Sequence, residues 1–529
     1  MDRPRNSLAA PVAGVAILIA VPVVDAPGWL HRLSFVATGR PLAPEHALLL
    51  GLAVLIAARG LMLGRRAAAY GLLLVVGLGV LAAVAGEDPL WRLPLLLVAA
   101  LALLRTLESL PVRPHPSRVR AALRTVATVV LVAAAACLLF ARVSVTSLPH
   151  DAVAGLGGSL DVEGASWLPI ALGLLGWIGL IAAVQLLLAP SPAPVPGDES
   201  ERSRVAELVA EPGSGTLAPF ALRQDKTYVF APGGRAAIGY RVLFGVAVAG
   251  GDPVGDPRSH ASAMGAFLAM CLRNGWRPAV LAAACDWPGM KQIGIGDEVV
   301  LRPPEFTLSG RSMRNVRQAV QRTVNAGVTT EVLPERELSP SLRAELREIA
   351  RLSLGGAAER GFSMNLDELL TGRHPGCVVA VAHAGGRAVA FQRYASCGSG
   401  LSLDAMRRHP DAPNGVHERL IADLVAQARV PEVSLNFAAF RELLDTKDRT
   451  AAEQVGYRVL HLLDPLIAVE SLYLFNRKFR PSYQPRSVVF RSWSDLAWVA
   501  AALLTLEFGR TAPPRAEAVT APETRLEHP

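Results

Sequence analysis

Six apolar runs in the first 190 residues constrain this chain more than any other feature of its sequence. The runs lie at about 8–24, 46–63, 67–85, 89–104, 121–140 and 167–189. Each is close to the length that a helix needs to cross the hydrocarbon core of a bilayer. The first run lacks a small-residue cleavage motif and five more follow it, so we interpret it as an anchor and not as a signal peptide. Residues 1–190 are therefore predicted to form an α-helical membrane domain with about six transmembrane helices.

Charges between the runs predict the orientation of this domain. Arginines precede the first run and recur in alternate loops: Arg3, Arg5, Arg59, Arg65, Arg66, Arg105, Arg113, Arg118, Arg120 and Arg124. The intervening loops are acidic or mixed, for example at Glu87 and Asp88. The positive-inside rule then predicts a multi-pass protein of the plasma membrane with both termini in the cytoplasm. Few polar residues interrupt the runs, which favours an anchor over a transporter.

Charge and cysteine content narrow the classes of partner and cofactor. The net charge of +8 and the pI near 9.6 suit anionic partners such as nucleic acid or acidic lipid. The five cysteines form no CxxC pair, so neither a zinc site nor a disulfide framework is indicated. We predict no metal and no bound cofactor.

Composition divides the rest of the chain into three parts. Residues 191–215 are rich in Pro, Ser and Glu and are predicted to be a linker with one short helix. Residues 216–490 are globular in composition and are predicted to form the functional domain. Residues 491–529 are predicted to contain a short apolar helix, Asp495 to Phe508, and a disordered tail.

The globular part shows mixed α/β periodicity. Predicted strands lie at Lys226–Ala231, Ala236–Val248, Val299–Leu301, Val378–His383, Val389–Tyr394 and Leu401–Asp404, with helices at Ser259–Asn274 and Leu342–Leu354. A similar order of helices and strands recurs on either side of about residue 335. The fold class is thus an α/β C-terminal domain behind a helical membrane domain.

The stretch from Leu401 to Arg441 gathers the polar residues best placed for chemistry. It is predicted to run from a strand through the loop Met406–Gly415 into a helix and back to a strand at Val433–Phe437. Its polar residues meet where strands end and the helix begins: Asp404, Arg407, Arg408, Asn414, His417, Glu418 and Asn436. Ligands of α/β sheets commonly bind in the crevice at this edge.

The segments SLDAMRR, NGVHE and SLNFAAFR of this stretch resemble the signatures of the phosphatidylglycerol lysyltransferases, the multiple peptide resistance factor family. Further segments resemble the same family in the same order: Gly250–Pro257, Ile293–Gly327, Arg360–Met364 and Ser471–Arg486. The resemblance implies two tandem acyltransferase folds of the N-acetyltransferase (GNAT) type. It also implies transfer of an amino acid, lysine by default, from aminoacyl-tRNA to the glycerol hydroxyl of phosphatidylglycerol.

The resemblance, read with the residue types, implies roles for individual side chains. Asp404 or Glu418 would hold the ammonium of the amino acid or help to deprotonate the lipid hydroxyl. Asn436 and Asn414 would orient the carbonyl. The phosphates of lipid or tRNA would be bound by Arg407, Arg408, Lys478 and Arg486, and the helix near residue 314 would present Arg314 and Arg317 to tRNA. A homo-oligomer stays open as a further possibility.

Other interpretations remain at this point. Asp404 fits a strand-end turn residue, and Glu418 fits a first-turn carboxylate favoured by the helix dipole. A coenzyme-A-dependent acyltransferase would share the fold type, but it needs a glycine-rich pyrophosphate loop at a helix start. Ala384-Gly385-Gly386-Arg387 is instead predicted to be a hairpin turn. A non-catalytic membrane or transport protein with a degenerate synthase domain is the third alternative.

Overall fold

The computed structural model describes residues 8–24, 26–39, 44–86, 89–140, 168–355, 362, 365–374, 376–439 and 469–508. The chain divides into two compact units. The first comprises residues 1–192 together with Leu272–Trp276, and the second comprises residues 193–271 and 277–529. The predicted Arg360–Met364 segment lies largely outside the described residues, and so does the tail after Phe508.

The first unit is helical. Its described helices are α1 (Ala9–Ala20), α2 (Gly28–Thr38), α3 (Pro44–Met62), α4 (Arg66–Val84), α5 (Leu93–Leu107), α6 (Pro116–Phe140) and α7 (Leu168–Leu188). Small and aliphatic side chains such as Ala69 and Leu61 are buried between helices. Many large apolar side chains remain exposed, for example Leu74 at 65% and Leu131 at 69%. Exposed apolar surface of this extent is expected where helices face lipid.

Four described segments are long and apolar enough to cross a membrane: Arg66–Val84, Leu90–Leu107, Pro116–Ala136 and Ala171–Leu188. A bent pair, Ala9–Val23 with Gly28–Thr38, turns by 120° and gives a fifth span if it is counted as one. Ala47–Met62 is apolar but shorter. The helix Gly28–Thr38 was not predicted, because it lies between the first two apolar runs and is less apolar than either.

The second unit is an α/β structure. Its strands are β1 (Thr227–Phe230), β2 (Ala236–Leu243), β3 (Val246–Ala249), β4 (Val254–Gly255), β5 (Arg277–Ala283), β6 (Lys291–Leu301), β7 (Thr329–Pro334), β8 (Val378–Ala384), β9 (Arg387–Cys397), β10 (Gly400–Arg408), β11 (Glu432–Ala439) and β12 (Ser482–Phe490). Its helices are α8 (Glu199–Ala210), α9 (His260–Asn274), α10 (Arg314–Asn325), α11 (Pro340–Leu354), α12 (Val416–Gln427), α13 (Val469–Arg477) and α14 (Leu496–Phe508). The last residues of α9 belong to the first unit.

These strands form one sheet with an internal repeat. The order is β1-β2-β3-β5-β12-β6-β11-β10-β9-β8-β7, with β4 paired to β2. In one half, β1, β2 and β3 are antiparallel and α9 leads to β5, which is parallel to β3. In the other half, β8, β9 and β10 are antiparallel and α12 leads to β11, which is parallel to β10. The second unit therefore consists of two halves that repeat this arrangement, and β7 extends the second half at the edge of the sheet.

The final strand of each half lies beside the other half. β6, which follows β5 in the chain, pairs with β11, and β12, which follows β11, pairs with β5. The two exchanged strands also pair with each other. Each half has its own apolar core, centred on Val248 and Phe490 in the first and on Tyr394 and Leu420 in the second.

Most predicted elements are present, with two notable differences. The predicted strand Ala236–Val248 is a hairpin, because Phe244 and Gly245 both adopt positive φ and reverse the chain. The predicted loop begins later than expected, because β10 continues through Arg408. The short helix expected in residues 191–215 is α8, and its Val205 and Val209 are buried in the first core. The hairpin predicted at Ala384–Arg387 is confirmed.

Candidate active site

Asp404 lies in the interior of the sheet, at an irregularity of strand β10. The register between β9 and β10 shifts between Leu403 and Ala405, so Asp404 bulges out of the ladder. Its side chain has no exposed surface. One carboxylate oxygen accepts the backbone N–H of Leu366 at 2.6 Å, and the other accepts Nη1 of Arg393 at 2.8 Å.

Arg393 joins two carboxylates in this buried network. Its Nε donates to Glu335 at 2.5 Å, and both side chains are essentially unexposed. Buried charges need partners of opposite charge and good hydrogen-bond geometry. The Glu335–Arg393–Asp404 network supplies both. Asp404 is thus firmly held, and its predicted part in catalysis stays a prediction.

Asn436 lies beside Asp404 on the neighbouring parallel strand. It sits at an irregularity of β11 between Ser434 and Phe437, with φ at +72°. Asn tolerates this left-handed conformation better than most residues. Its Nδ2 donates to the carbonyl of Leu403 at 2.9 Å. The structure therefore brings the predicted residues Asp404 and Asn436 to adjacent irregularities of two paired strands.

Glu418 and Lys478 form an ion pair at the start of α12. Lys478 Nζ lies 2.9 Å from a Glu418 carboxylate oxygen, although the two residues are 60 positions apart. The Lys478 ammonium also lies over the Phe475 ring, 5.1 Å from its centroid. Glu418 is in the first turn of α12, where the helix dipole favours a carboxylate. Asn414 is exposed in the turn just before this helix.

His417 connects the helix start to the core. The Gln392 side-chain amide donates to the His417 carbonyl at 3.2 Å, and the Tyr394 hydroxyl donates to Gln392 at 2.8 Å. Burial lowers the pKa of His417 to about 4, so the ring is neutral near pH 7. Arg407 and Arg408 are the last residues of β10, with Arg408 exposed and Arg407 half-buried.

Arg486 lies in a different part of the sheet. It is on β12, where it forms ion pairs with Glu298 and, at 3.6 Å, with Asp252. Thr216 donates a second hydrogen bond to Glu298. A pocket here is lined by Gly215, Leu217, Ala218, Ala221, Gly239, Gly250, Gly251, Asp252, Pro253, Val254, Ala282 and Arg486. We call it the glycine pocket, since the predicted Gly250–Pro257 turn forms one wall.

The two predicted arginines of α10 lie on its exposed side. Val316, Ala319 and Thr323 form the buried side of this helix. Arg314 is exposed, whereas Arg317 Nη1 donates to the carbonyls of Leu308 and Gly310 at 2.5 and 3.1 Å and thereby holds the preceding loop. Helix α10 packs against the start of α12, because the Ala319 carbonyl lies against Gly415.

Among the described residues, one group has ligand atoms close enough to hold a metal ion: Asp367, Glu368 and His374. These atoms already have protein partners. His374 Nε2 lies 3.2 Å from Asp367, and Arg373 pairs with Glu368 at 2.6 Å. The arrangement is that of a local ion-pair cluster.

Sequence reasoning missed four buried charged residues around these sites: Arg393, Glu335, Glu298 and Lys226. A signal was available for Arg393, which interrupts an apolar strand in FQRYA, since charged residues are almost never fully buried unless paired. The partners of Arg393, Glu335 and Glu298 lie 11 to 188 positions away in the sequence, so the pairing itself has no local signal.

Comparison with known proteins places this chain among characterised families. The family described as "Phosphatidylglycerol lysyltransferase, C-terminal" matches residues 206–490. An MprF-like domain protein of Mycobacterium tuberculosis is 38% identical over 377 residues, which cover 68% of this chain and 74% of that protein. A lysylphosphatidylglycerol biosynthesis bifunctional protein LysX of Gordonia bronchialis is 37% identical over 356 residues, covering 64% of this chain but only 31% of LysX.

Two solved structures share the fold of the second unit. The C-terminal domain of a lysylphosphatidylglycerol synthetase from Agrobacterium fabrum superposes with a TM-score of 0.51 at 22% identity, covering 59% of this chain and 99% of that domain. L-PGS from Bacillus licheniformis gives a TM-score of 0.52 at 20% identity, covering 59% of this chain and 97% of that chain. At these identities the likeness concerns the fold alone.

Proposed function

Because this chain belongs to the phosphatidylglycerol lysyltransferase family, we propose that it transfers an amino acid, lysine in the first instance, from aminoacyl-tRNA to phosphatidylglycerol. The observation that carries the proposal is the family match over residues 206–490, which contains every side chain assigned a role from the sequence. The product would carry additional positive charge at the membrane surface. Resistance to cationic peptides would follow from that charge.

The reaction needs positioning more than chemical activation. In aminoacyl-tRNA the amino acid is already an activated ester, so bringing the two substrates together in the right geometry removes much of the barrier. The glycerol hydroxyl attacks the ester carbonyl, a new ester bond forms, and the ribose oxygen of tRNA leaves with the proton lost by the hydroxyl. No external cofactor enters this balance, and we propose that charged tRNA is the sole donor.

The site at β10, α12 and β11 suits that task. Glu418 is half-buried and paired with Lys478, so it can exchange this partner for the ammonium of the amino acid or accept the hydroxyl proton. Asn414 lies nearby in the turn before α12. The arginines Arg407 and Arg408, at the end of β10, offer charge for phosphate. We propose that Asp404 and Asn436 hold these groups in position.

The proposal includes an arrangement in the membrane. We propose about six transmembrane helices and a catalytic unit on the cytoplasmic side. We also propose that the second unit consists of two GNAT-like halves, which its repeated strand order supports. Aminoacyl-tRNA is cytosolic, so a catalytic unit on the other side of the membrane would have no donor. Association into a homo-oligomer is compatible with this arrangement.

Lipid mass spectrometry tests the function directly. A host expressing the full chain should contain phosphatidylglycerol heavier by one amino-acid residue, and the mass of that residue identifies the amino acid. Incubation of the purified full chain with phosphatidylglycerol and radiolabelled lysyl-tRNA should transfer label to lipid, whereas acetyl-coenzyme A should not. Unchanged lipid in both experiments would contradict the proposal.

A further inference from the structure

The internal repeat of the sheet reveals a buried amine that has no hydrogen-bonded carboxylate among the described residues. In the second half, β9 and β10 pair regularly from Cys397–Gly400 at the turn to Tyr394–Leu403. The residue that follows this last pair is Arg393 on β9 and Asp404 on β10. In the first half, β2 and β3 pair in the same way from Leu243–Val246 to Tyr240–Ala249. The residue that follows this last pair is Gly239 on β2 and Gly250 directly after β3. An ion pair in one half thus corresponds to two glycines in the other.

The side chain of Lys226 fills the space that these glycines leave. A Cβ on Gly239 would lie 3.3 Å from Lys226 Cδ, and a Cβ on Gly250 would lie 2.3 Å from Lys226 Nζ. The second distance excludes any other residue at Gly250 without movement. Lys226 therefore runs across Gly239 and ends at Gly250, where it also lies over the Phe362 ring at 4.5 Å. The residue is 0% exposed.

The Lys226 amine has no hydrogen-bond acceptor among the described residues. A buried amine without a partner is costly, and three N–H donors need acceptor atoms. Around it lie Asp225 and Arg223 before β1, Asp367, and Glu507 of α14, which act on it through charge and not through contact. Burial lowers the pKa of Lys226 to about 7 despite the nearby carboxylates.

The glycine pocket adjoins this amine and contains a second unused donor. Gly239 and Gly250 line the pocket and lie against Lys226, and Ala221, which also lines it, lies against Gly239. Arg486 also lines it, and its Nε has no acceptor among the described residues. The pocket carboxylate, Asp252, already accepts from the backbone N–H of Ala284 at 2.8 Å and from the Cys285 thiol at 2.8 Å. The two polar atoms here that lack a hydrogen-bond partner among the described residues, Lys226 Nζ and Arg486 Nε, are therefore both donors.

We propose that Lys226 and Arg486 bind an anionic phosphodiester of a substrate in the glycine pocket. The ligand oxygen takes the place that the Asp404 carboxylate occupies in the other half, and it reaches the amine along the wall formed by Ala221, Gly239 and Gly250. The lipid head group and the 3′ end of tRNA both carry a phosphodiester, so the chemistry is shared by the two substrates. This inference rests on the proposed function and adds to it the site of one substrate phosphate.

Binding of an anion beside Lys226 should be coupled to protonation of its amine, which a purely structural role of Lys226 would not produce. An anion beside Lys226 favours the charged amine, so binding above the free-state pKa takes up a proton. At pH 8 the free amine is mostly neutral, and uptake should approach one proton per ligand. Calorimetry of the full chain in phosphatidylcholine nanodiscs, in buffers of different ionisation enthalpy, measures this uptake.

Two probes distinguish the source of the phosphate: glycerophosphoglycerol, the head group of phosphatidylglycerol without acyl chains, and the trinucleotide CCA. One of them should bind with proton uptake. Lys226→Met should weaken that binding by about tenfold or more, as expected for the loss of a charged hydrogen bond. Lys291→Met, at an exposed lysine, should bind as the wild-type chain does.

Binding of neither probe, binding without proton uptake, or wild-type affinity in Lys226→Met would each overturn the proposal. The proton measurement needs no variant, so it holds even if Lys226→Met fails to fold. Transfer of label from lysyl-tRNA to lipid is measured separately. Active transfer without probe binding would remove this site alone, and probe binding without transfer would remove the proposed function alone.

Discussion

Arg393 holds Asp404 at 2.8 Å inside the sheet, and neither side chain reaches solvent. The residue that the sequence places first among the catalytic candidates is thus half of a buried ion pair. Such a pair fixes the geometry of its surroundings, and breaking it leaves an uncompensated charge. Asp404 therefore has a structural role whatever part it takes in the transfer reaction.

Asp404→Asn should destabilise the protein as well as reduce transfer. Removing one partner of a buried ion pair costs about 3–5 kcal/mol, and we expect the lower end because Arg393 keeps Glu335. The melting temperature of the full chain in detergent should fall by several degrees. Asp411→Asn, at an exposed carboxylate, is the matched control and should melt as the wild type does. A normal melting temperature with lost transfer would instead assign Asp404 to direct substrate contact.

Glu418→Gln should leave stability nearly unchanged and reduce transfer. The pair with Lys478 is partly exposed, and such pairs contribute about 0–1 kcal/mol. Because we propose that Glu418 acts on the substrates, kcat should fall while the melting temperature stays within about one degree. Lys478→Met, measured alone and together with Glu418→Gln, provides a double-mutant cycle. Strictly additive effects on kcat/KM would show that the two residues do not act as a unit.

Arg314→Gln should weaken binding of tRNA and leave use of the lipid unchanged. Each lost phosphate contact lowers the salt dependence of binding by about 0.7–0.9 in the slope of log K against log salt. The measurement is KM for aminoacyl-tRNA at several salt concentrations. Arg429→Gln, at an exposed arginine near the end of α12, is the control. Equal slopes for both variants and the wild type would exclude α10 from the tRNA surface.

Arg317→Gln should have a second effect that Arg314→Gln lacks. Arg317 holds the carbonyls of Leu308 and Gly310, so its loss frees the loop before α10. We expect faster hydrogen exchange across 308–313 in this variant only. Unchanged exchange would mean that these hydrogen bonds contribute little to loop order.

Acid should destabilise the protein partly through His417. Burial lowers the pKa of this ring from 6.5 to about 4, so the unfolded chain binds more protons than the folded one between these values. The contribution is fully present above pH 6.5 and is lost as pH falls toward 4, at up to about 1.4 kcal/mol per pH unit. His417→Asn should flatten the fall in melting temperature between pH 6.5 and 4.5. An identical profile for the variant would contradict this assignment.

Sequence reasoning located the elements of the candidate site because their signals are local. Periodicity defines β10, α12 and β11, and turn residues at Asn414 and Gly415 mark the start of the helix. The meeting of Asp404 and Asn436 followed from the expectation that neighbouring strands end together. The extent of β10 was underestimated, since Arg407 and Arg408 suggest a loop by composition although they continue the strand.

The sequence carries no local signal for contacts between side chains on different strands of the sheet. The sequence groups Arg486 with the phosphate-binding residues of β10, but strand exchange places it beside Glu298 and the glycine pocket. Identity does not reveal the repeat, because equivalent backbone positions carry unlike residues: Arg393 and Asp404 follow the last regular pair in one half, and Gly239 and Gly250 follow it in the other. Register, and not residue type, reveals the equivalence.

The exchange of β6 and β12 has a consequence for synthesis on the ribosome. β12 pairs with β5 and β6, yet it is translated about 200 residues after β5 and about 180 after β6, as the last strand of the sheet. Until Ser482–Phe490 has emerged, the nascent chain has an unpaired strand edge at β5, and such edges promote aggregation. The nascent chain is therefore prone to aggregation until translation of the domain is almost complete. Chaperone binding, or a translational pause late in the message, would then determine the yield of folded protein.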